Sequence, residues 1–450
     1  MVSKRKGVGL RRWVLLPALA LLVLPTAGFA QAAAAAAPAV DKGDTAWMMT
    51  STILVLLMIL PGLALFYGGL ARTKNMLSVM TQVGAAAAIT MLVWIGWGYA
   101  EAFGDGGNAF IGGFGKVLLK GVTPASTAPT FSAGVAIPEY VFICFQMTFA
   151  AITLALVLGS VVERIKFSAV LVFGLVWLTL VYFPIAHMVW AGGGLFFSMT
   201  PAALDFAGGT VVHINSGVSA LVACLILGKR IGYPREPMPP HSLVMTGIGT
   251  GLLWVGWFGF NAGSALEANG AAALAMINTF VATASAGMAW LLAERLAGRK
   301  PSALGFCSGI VAGLVAVTPA AGNAGPLGAI VLGAVAALCC YLAVTVLKPR
   351  LGYDDALDTF GIHGVGGMIG ALGTGIVYSA TLGGPSPDGW SMGAQLVTQL
   401  LTVGGTIIWA ASGTAIAIFA AKLLTGLRVG ADAEREGLDL AEHGERAYNH

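Results

Sequence analysis

The segment DFAGGTVVHIN, residues 205–215, decides how this chain must be interpreted. It opens a long apolar run and places His213 inside a predicted membrane helix. Ionisable side chains are costly inside a bilayer and usually mark a functional site. Asp205 precedes His213 by eight residues, roughly 12 Å along a helix axis. A second intramembrane histidine, His363, follows Asp358 in DTFGIHGVGG, so the chain keeps two such histidines in lipid.

Composition places the chain in a bilayer. Of its 450 residues, 57% are hydrophobic and 10% are charged, against roughly 25% charged in soluble domains. The mean hydropathy is +0.84, and 63 glycines suggest helices that pack closely through small residues. No polar stretch is long enough for a large soluble domain, and a net charge of +4 gives no reason to expect a nucleic-acid partner. The five cysteines fall within apolar runs, so neither a disulfide framework nor a metal site of Cys and His is predicted.

The first 30 residues have the regions of a secretory signal peptide. Basic residues between Lys4 and Arg12 precede an apolar stretch, and GFA ends at Ala30 with the small residues that a signal peptidase recognises. We therefore predict a signal peptide over residues 1–30 and a periplasmic lead-in over residues 31–45. The alternative is an uncleaved first helix, but eleven apolar residues are short for a membrane span.

Eleven apolar stretches follow, each of about 20 residues, the length that crosses a bilayer. We predict an all-α polytopic membrane protein, with a transmembrane domain over residues 46–424 and a cytoplasmic tail over residues 425–450. The predicted spans are 46–70, 78–103, 137–161, 168–190, 207–228, 243–263, 272–296, 302–318, 326–347, 359–381 and 394–424. The longest loop runs from Glu101 to Pro138 and contains no strong span.

Basic residues predict the orientation, because they collect in cytoplasmic loops. One set of alternate loops carries most of them, and the opposite set has only Lys116 and Lys120. This asymmetry and the signal peptide both predict an external N-terminus and a cytoplasmic C-terminus.

The two histidines also suggest an internal repeat. His213 lies on the fifth predicted span and His363 on the tenth, and small residues follow each of them at offsets of three and four positions. Spans 1–5 and 6–10 therefore look like an inverted repeat, a common plan in transporters, followed by a long eleventh helix.

Two interpretations of the histidines are open. They are either core residues satisfied by backbone carbonyls or a pair that meets across the repeat interface and lines a path. Two imidazoles in contact would share a proton or stay neutral, because a buried cationic pair is unfavourable. A metal site is less favoured, since no third ligand of suitable type lies at a sensible spacing.

Asp205 has two candidate roles as well. The favoured role is a cap of the fifth helix that accepts hydrogen bonds from the N–H groups of Ala207, Gly208 and Gly209. The other role is direct ligation of a cation. Asp358 is interpreted in the same way, as a cap at the cytoplasmic end of the tenth span.

Aromatic residues are concentrated at the outer ends of spans, where an interfacial belt is the ordinary explanation. They include Phe149, Trp190, Trp257 and Phe260. Aromatic faces close to the hydroxyl of Ser264 are also able to bind a small cation, through cation–π contact and a hydrogen bond.

Six segments together resemble the ammonium transporter family (Amt, Mep and Rh proteins): PGLALFYGGLARTKN, FQMTFAAITLALVLGSVVERIKFSA, DFAGGTVVHIN, GWFGFNAGSA, GLVAVTPAAG and DTFGIHGVGG. The tail REGLDLAEHGERAY is similar to the cytoplasmic tail of the bacterial Amt branch. The resemblance implies a homotrimer with one pore per subunit in the bacterial inner membrane. It also implies transport of NH4+ or NH3, with methylammonium as a further candidate, and regulation by a PII-type signal protein at the cytoplasmic face.

The resemblance further implies an outer NH4+ site formed by Phe149, Trp190, Ser264 and the carbonyl of Ala207. One departure from the family is WAGGGLFFSMTPAALD, a connection between Trp190 and Asp205 that is longer than usual. This departure affects the outer loop and leaves the pore residues in place.

Below that site, the resemblance implies a gate and a lumen. Phe149 and Phe260 match the two stacked rings of the gate, and His213 and His363 match the twin histidines of the hydrophobic lumen. Asp205 matches the family's essential carboxylate. Residues that match the surroundings of the mouth or pore are Trp257 and Thr318.

We therefore expect NH4+ to lose its hydration at the aromatic site and to cross as NH3, because carrying the intact ion through an apolar lumen is very costly. Separate proton transfer would make net transport electrogenic. The alternative function is an ammonium sensor that signals through a PII-type partner. No nucleophile–base pair or metal constellation is visible in the sequence, so no enzymatic activity and no cofactor are expected.

Overall fold

The structure is a computed structural model that describes residues 39–448. The predicted signal peptide, residues 1–30, and residues 31–38 of the predicted lead-in lie outside the described residues. Within the described part, the chain is mostly helical, and eleven helices are long and apolar enough to cross a membrane.

These helices confirm the eleven predicted spans, and every end lies within five residues of its prediction. In chain order, spans 1–11 are Lys42–Leu70, Thr73–Phe103, Glu139–Leu158, Phe167–Trp190, Gly209–Leu227, Leu243–Gly263, Gly270–Leu296, Ala303–Ala320, Pro326–Leu351, Phe360–Val377 and Met392–Thr425. We call the two faces of the bundle the Asp205 end and the tail end.

Spans 5 and 10 both open with a wide π-helical turn. The turns are Gly209–Ile214 and Phe360–Gly364, and they contain His213 and His363. Single π turns inside α-helices are frequent at functional sites. The two histidines thus occupy the same point of the inverted repeat formed by spans 1–5 and 6–10.

Glycines bring these two spans together. A Cβ placed on Gly217 would lie 2.1 Å from the backbone N of Gly364, and one on Gly367 would lie 3.1 Å from the Cβ of His213. Gly217 and Gly367 each follow a histidine by four positions, which explains the matching small residues in the sequence. Only a glycine fits at Gly217, and its absence of a side chain allows the histidines to meet.

The long loop after span 2 is folded more regularly than the sequence suggests. It contains a 3-10 segment, Phe114–Leu119. Two short strands of the loop, β2 (Thr127–Pro129) and β3 (Val135–Pro138), form a three-stranded sheet with β1 (Ala39–Val40), which precedes span 1. Strand β3 is parallel to β1 and antiparallel to β2. Strands of two to four residues carry too little periodicity to be predicted.

The tail after span 11 folds back onto the start of span 2. Its short helices are Ala431–Glu436 and Leu438–His443. The carboxylate of Asp439 accepts a hydrogen bond from the N–H of Ser78 at 2.7 Å, and the N–H of Leu438 donates to Asn75 Oδ1 at 2.8 Å. The tail therefore caps the first turns of span 2.

Candidate functional site

His213 and His363 are in contact at the crossing of spans 5 and 10. Their Nδ1 atoms lie 3.2 Å apart, and the rings are 5.3 Å apart and nearly parallel. Both side chains are buried. One Nδ1 must carry the hydrogen and the other must accept it, so the rings share a single proton at this contact. Of the two open interpretations, the structure shows the pair and not two separate core residues.

Trp257 and Thr318 hold His213 from one side. The indole of Trp257 stacks on the imidazole of His213 at 5.4 Å. Its Nε1 donates to Thr318 Oγ1 at 2.9 Å, and that hydroxyl donates to the carbonyl of Leu314 at 2.8 Å. Within the described residues, His213 Nε2 has no hydrogen-bond partner. The ring is held by stacking, and its Nε2 atom keeps an unused capacity for one hydrogen bond.

Phe149 and Phe260 stack face to face directly above this pair. Their ring centroids are 4.2 Å apart at an angle of 20°, and both side chains are buried. The ring of Phe260 also lies 6.0 Å from that of His213. Two rings stacked at this spacing leave no room for a molecule between them.

Trp190 and Ser264 line a cavity of about 1210 Å³ at the Asp205 end. Trp190 meets Phe149 edge to face at 5.8 Å, and its Nε1 donates to the backbone carbonyl of Asp205 at 2.9 Å. The hydroxyl of Ser264 donates to the carbonyl of Phe260 at 2.8 Å. Since its one hydrogen is used in this way, the Ser264 oxygen presents its lone pairs as an acceptor.

Ala207 is fully buried and does not line this cavity. The neighbouring residues Asp205 and Phe206 form the adjacent part of the cavity wall. The structure thus places Trp190 and Ser264 in the wall of one cavity. Phe149 contacts Trp190 but, like Ala207, is not part of that wall.

The carboxylate of Asp205 binds three backbone N–H groups, those of Gly208 at 3.2 Å, Thr210 at 3.0 Å and Val211 at 3.1 Å. Of the predicted donors, Gly208 is confirmed. Ala207 is wrong, because Gly208 has a φ of +112° and delays the start of the helix to Gly209. Burial raises the pKa of Asp205, and the backbone N–H groups oppose this shift.

The predicted cap role of Asp358 is also wrong. Its Oδ1 accepts a hydrogen bond from Lys348 Nζ at 2.6 Å. The cap of span 10 is Asp355, whose Oδ2 accepts from the N–H of Phe360 at 2.7 Å. Asp355 precedes His363 by eight residues, the same spacing as Asp205 and His213. Burial raises the pKa of Asp355, and the nearby Lys348 opposes the shift.

Two glutamines that the sequence analysis missed fix the unusually long connection before Asp205. Gln399 binds both backbone groups of Leu204 and donates to the carbonyl of Ala371 at 2.7 Å. Gln395 donates to the carbonyl of Ala202 at 2.9 Å. Two amides four residues apart in an apolar span were a detectable signal, because such side chains seek partners inside a membrane.

Comparisons with known proteins identify a family and several relatives to which the whole described chain is similar. The sequence profile of the Ammonium Transporter Family matches residues 46–448. An ammonium transporter of Aquifex aeolicus is 46% identical over 422 residues, which cover 94% of this chain and 97% of the relative. The crystal structure of Candida albicans Mep2 is similar with a TM-score of 0.79 at 37% identity, covering 91% of this chain and 90% of that one. A structure described as a sensor Amt protein has a TM-score of 0.80 at 28% identity, covering 89% and 98%.

Proposed function

Because the chain belongs to the Ammonium Transporter Family, we propose that it transports ammonium across the cell membrane. One observation carries this proposal: a continuous file of five aromatic rings. Trp190, Phe149, Phe260, His213 and His363 follow one another with centroid distances of 5.8, 4.2, 6.0 and 5.3 Å.

In the proposed mechanism, NH4+ binds at Trp190 through cation–π contact and donates a hydrogen bond to the oxygen of Ser264. These contacts replace part of its hydration. The buried aromatic gate cannot solvate a charge, so the ion loses a proton and NH3 passes on to the histidine pair. Potassium is similar in size but has no proton to lose, and it is therefore rejected.

Asp205 contributes in two ways. Its carboxylate fixes the backbone that carries His213, and its negative charge lies close to the recruitment cavity. The proton crosses separately, by way of the histidines or water, which makes net transport electrogenic.

The proposal extends to the setting of the protein. We place the Asp205 end outside and the tail in the cytoplasm of a bacterial inner membrane, after removal of a signal peptide over residues 1–30. The assembly is a homotrimer with one pore per subunit, and methylammonium is a further substrate. A PII-type signal protein binds at the tail end.

A sensor that signals through such a partner is the second candidate. The similarity to a sensor Amt protein and a tail folded against the first turns of span 2 favour it. Methylammonium uptake by cells with and without the chain separates the two candidates. Absent uptake together with intact ammonium-dependent signalling would favour the sensor.

The test of the mechanism is a current recording on supported membranes. Wild-type protein should give an ammonium-dependent current and none with potassium. The His213→Leu/His363→Leu double variant should lose either the current or its selectivity, because it removes both imidazoles that would pass a proton. An undiminished and selective current in the double variant would remove the histidines from the mechanism.

A further inference from the structure

Lys116, one of two lysines in the long loop at the Asp205 end, is held in an unusual position. Its Nζ donates to Glu139 Oε1 at 2.6 Å and lies 5.7 Å from the ring centroid of Tyr99. Tyr99 donates its hydroxyl to the same carboxylate oxygen at 2.7 Å. The side chain of Glu139 is 6% exposed and that of Lys116 is 30% exposed. A primary ammonium group therefore sits between a nearly buried carboxylate and an aromatic face.

This position opens into the cavity that contains the recruitment site. Tyr99, Lys116 and Glu139 line the same 1210 Å³ space as Trp190 and Ser264.

One face of span 3 connects the two places. Glu139, Phe142, Gln146 and Phe149 are spaced by three, four and three residues, which puts them on a single stripe of the helix. The ten residues from Glu139 to the gate at Phe149 cover roughly 15 Å of helix axis. A cation released at Glu139 thus has a short route to the gate.

We propose that Glu139 and Tyr99 form a second cation-binding position in this cavity, specific for NH4+ and methylammonium, and that Lys116 occupies it as a tethered ammonium group. The chemistry of the occupant is the argument. The ε-ammonium of lysine has the charge, the N–H donors and the preference for aromatic faces that NH4+ has. This inference rests on the proposed function, because it assumes that NH4+ enters the cavity.

Lys116 then acts as an internal competitor. While it is bound, it neutralises Glu139 and excludes external cations from the position. When it leaves, the carboxylate and the Tyr99 ring are exposed to the cavity and bind the substrate ahead of the gate. The chain can set its apparent affinity for ammonium through the occupancy of this lysine.

The test is the transport KM of Lys116→Met in proteoliposomes. We expect the KM for methylammonium to fall about fivefold, the strength of one cation–π contact at an exposed site. Lys120→Met is the matched control, since it removes the same charge from an exposed side chain of the same loop. It reports the general electrostatic effect, which salt screens over about 8 Å at physiological ionic strength.

Two further variants separate binding from a purely structural tie of the loop. In Lys116→Met/Glu139→Gln the carboxylate charge is removed, so the KM should return to the wild-type value. A loosened loop would leave the KM altered in this double variant.

Restoring the cation provides the second arm. Lys116→Cys should have a low KM, and modification with an aminoethyl methanethiosulfonate should raise it again by replacing the ammonium group. A neutral methyl reagent should leave it low, and wild-type protein treated with each reagent controls for Cys144, the exposed native cysteine.

Wild-type transport is measured first, so that failure of the proposed function is seen separately. If wild type transports ammonium and Lys116→Met has the same KM as Lys120→Met, the second position does not exist. If the neutral reagent raises the KM as much as the charged one, the tethered-ammonium account is overturned.

Discussion

The Asp205 half and the tail half of the bundle, built around spans 5 and 10, have the same backbone plan and different surroundings. In each half a buried aspartate lies eight residues before a histidine on a π turn, and a glycine four residues later packs on the opposite span. At the Asp205 end, stacked phenylalanines and an indole enclose His213. At the tail end, His363 lies on the wall of a cavity of about 430 Å³ whose lining includes charged groups.

This difference separates the features that bring the two histidines together from the features that surround only one of them. The repeat brings the imidazoles of His213 and His363 to hydrogen-bonding distance. Spans 5 and 10 contribute equally to this contact. The aromatic filter and the three-bond cap belong to one half alone. A substitution in the Asp205 half should therefore reduce methylammonium uptake more than the equivalent substitution in the tail half.

The largest expected effect is that of Asp205→Ala. Three buried N–H groups lose their acceptor, at a cost of about 1–3 kcal/mol each, and the negative charge beside the cavity disappears. Methylammonium uptake should fall to background. Asp205→Asn keeps one carbonyl acceptor and should recover the fold without full activity. A correctly assembled and fully active Asp205→Ala protein would contradict both the cap and the electrostatic role.

Asp355→Ala should have a smaller effect. Its side chain makes one hydrogen bond to the N–H of Phe360, so the loss is about 1–3 kcal/mol and uptake should decrease about tenfold at most. Equal losses for Asp205→Ala and Asp355→Ala in the same uptake assay would show that the two halves are functionally symmetric and would break the comparison.

The smallest expected effect is that of Thr318→Val, an isosteric change in the Asp205 half. Trp257 Nε1 loses its acceptor, and the indole that stacks on His213 is less firmly held. We expect uptake to fall about threefold, near the low end of the cost of a buried unsatisfied donor. Thr374→Val is the matched control, because Thr374 is equally buried and its hydroxyl donates to the carbonyl of Gly370 on its own helix. A similar loss in both variants would point to general packing.

The spans and the histidine pair were predictable because they depend on strong physical costs. An apolar run of about 20 residues has few alternatives to crossing a bilayer, and a histidine in lipid needs a partner or a pathway. The cap of span 10 was assigned to the wrong residue because Asp354, Asp355 and Asp358 lie close together in sequence. The π turn of span 10 puts the N–H of Phe360 within reach of Asp355, eight residues before His363, and so identifies Asp355 as the cap.

Contacts between distant segments were beyond the sequence for a different reason. Lys116 and Glu139 are 23 residues apart, and the partners Gln399 and Leu204 are 195 apart. Their pairing depends on how spans pack and how a loop folds back, and neither leaves a periodic signal. Residue type indicated that these side chains needed partners, but not which ones.

The contact between the tail and the first turn of span 2 has a consequence for how the protein is made. The acceptor for the N–H of Ser78 is the side chain of residue 439. Span 2 must therefore enter the membrane before this acceptor exists, and it receives its cap only after residue 439 has been synthesised. A polypeptide released before Asp439 would leave the N–H of Ser78 without this acceptor.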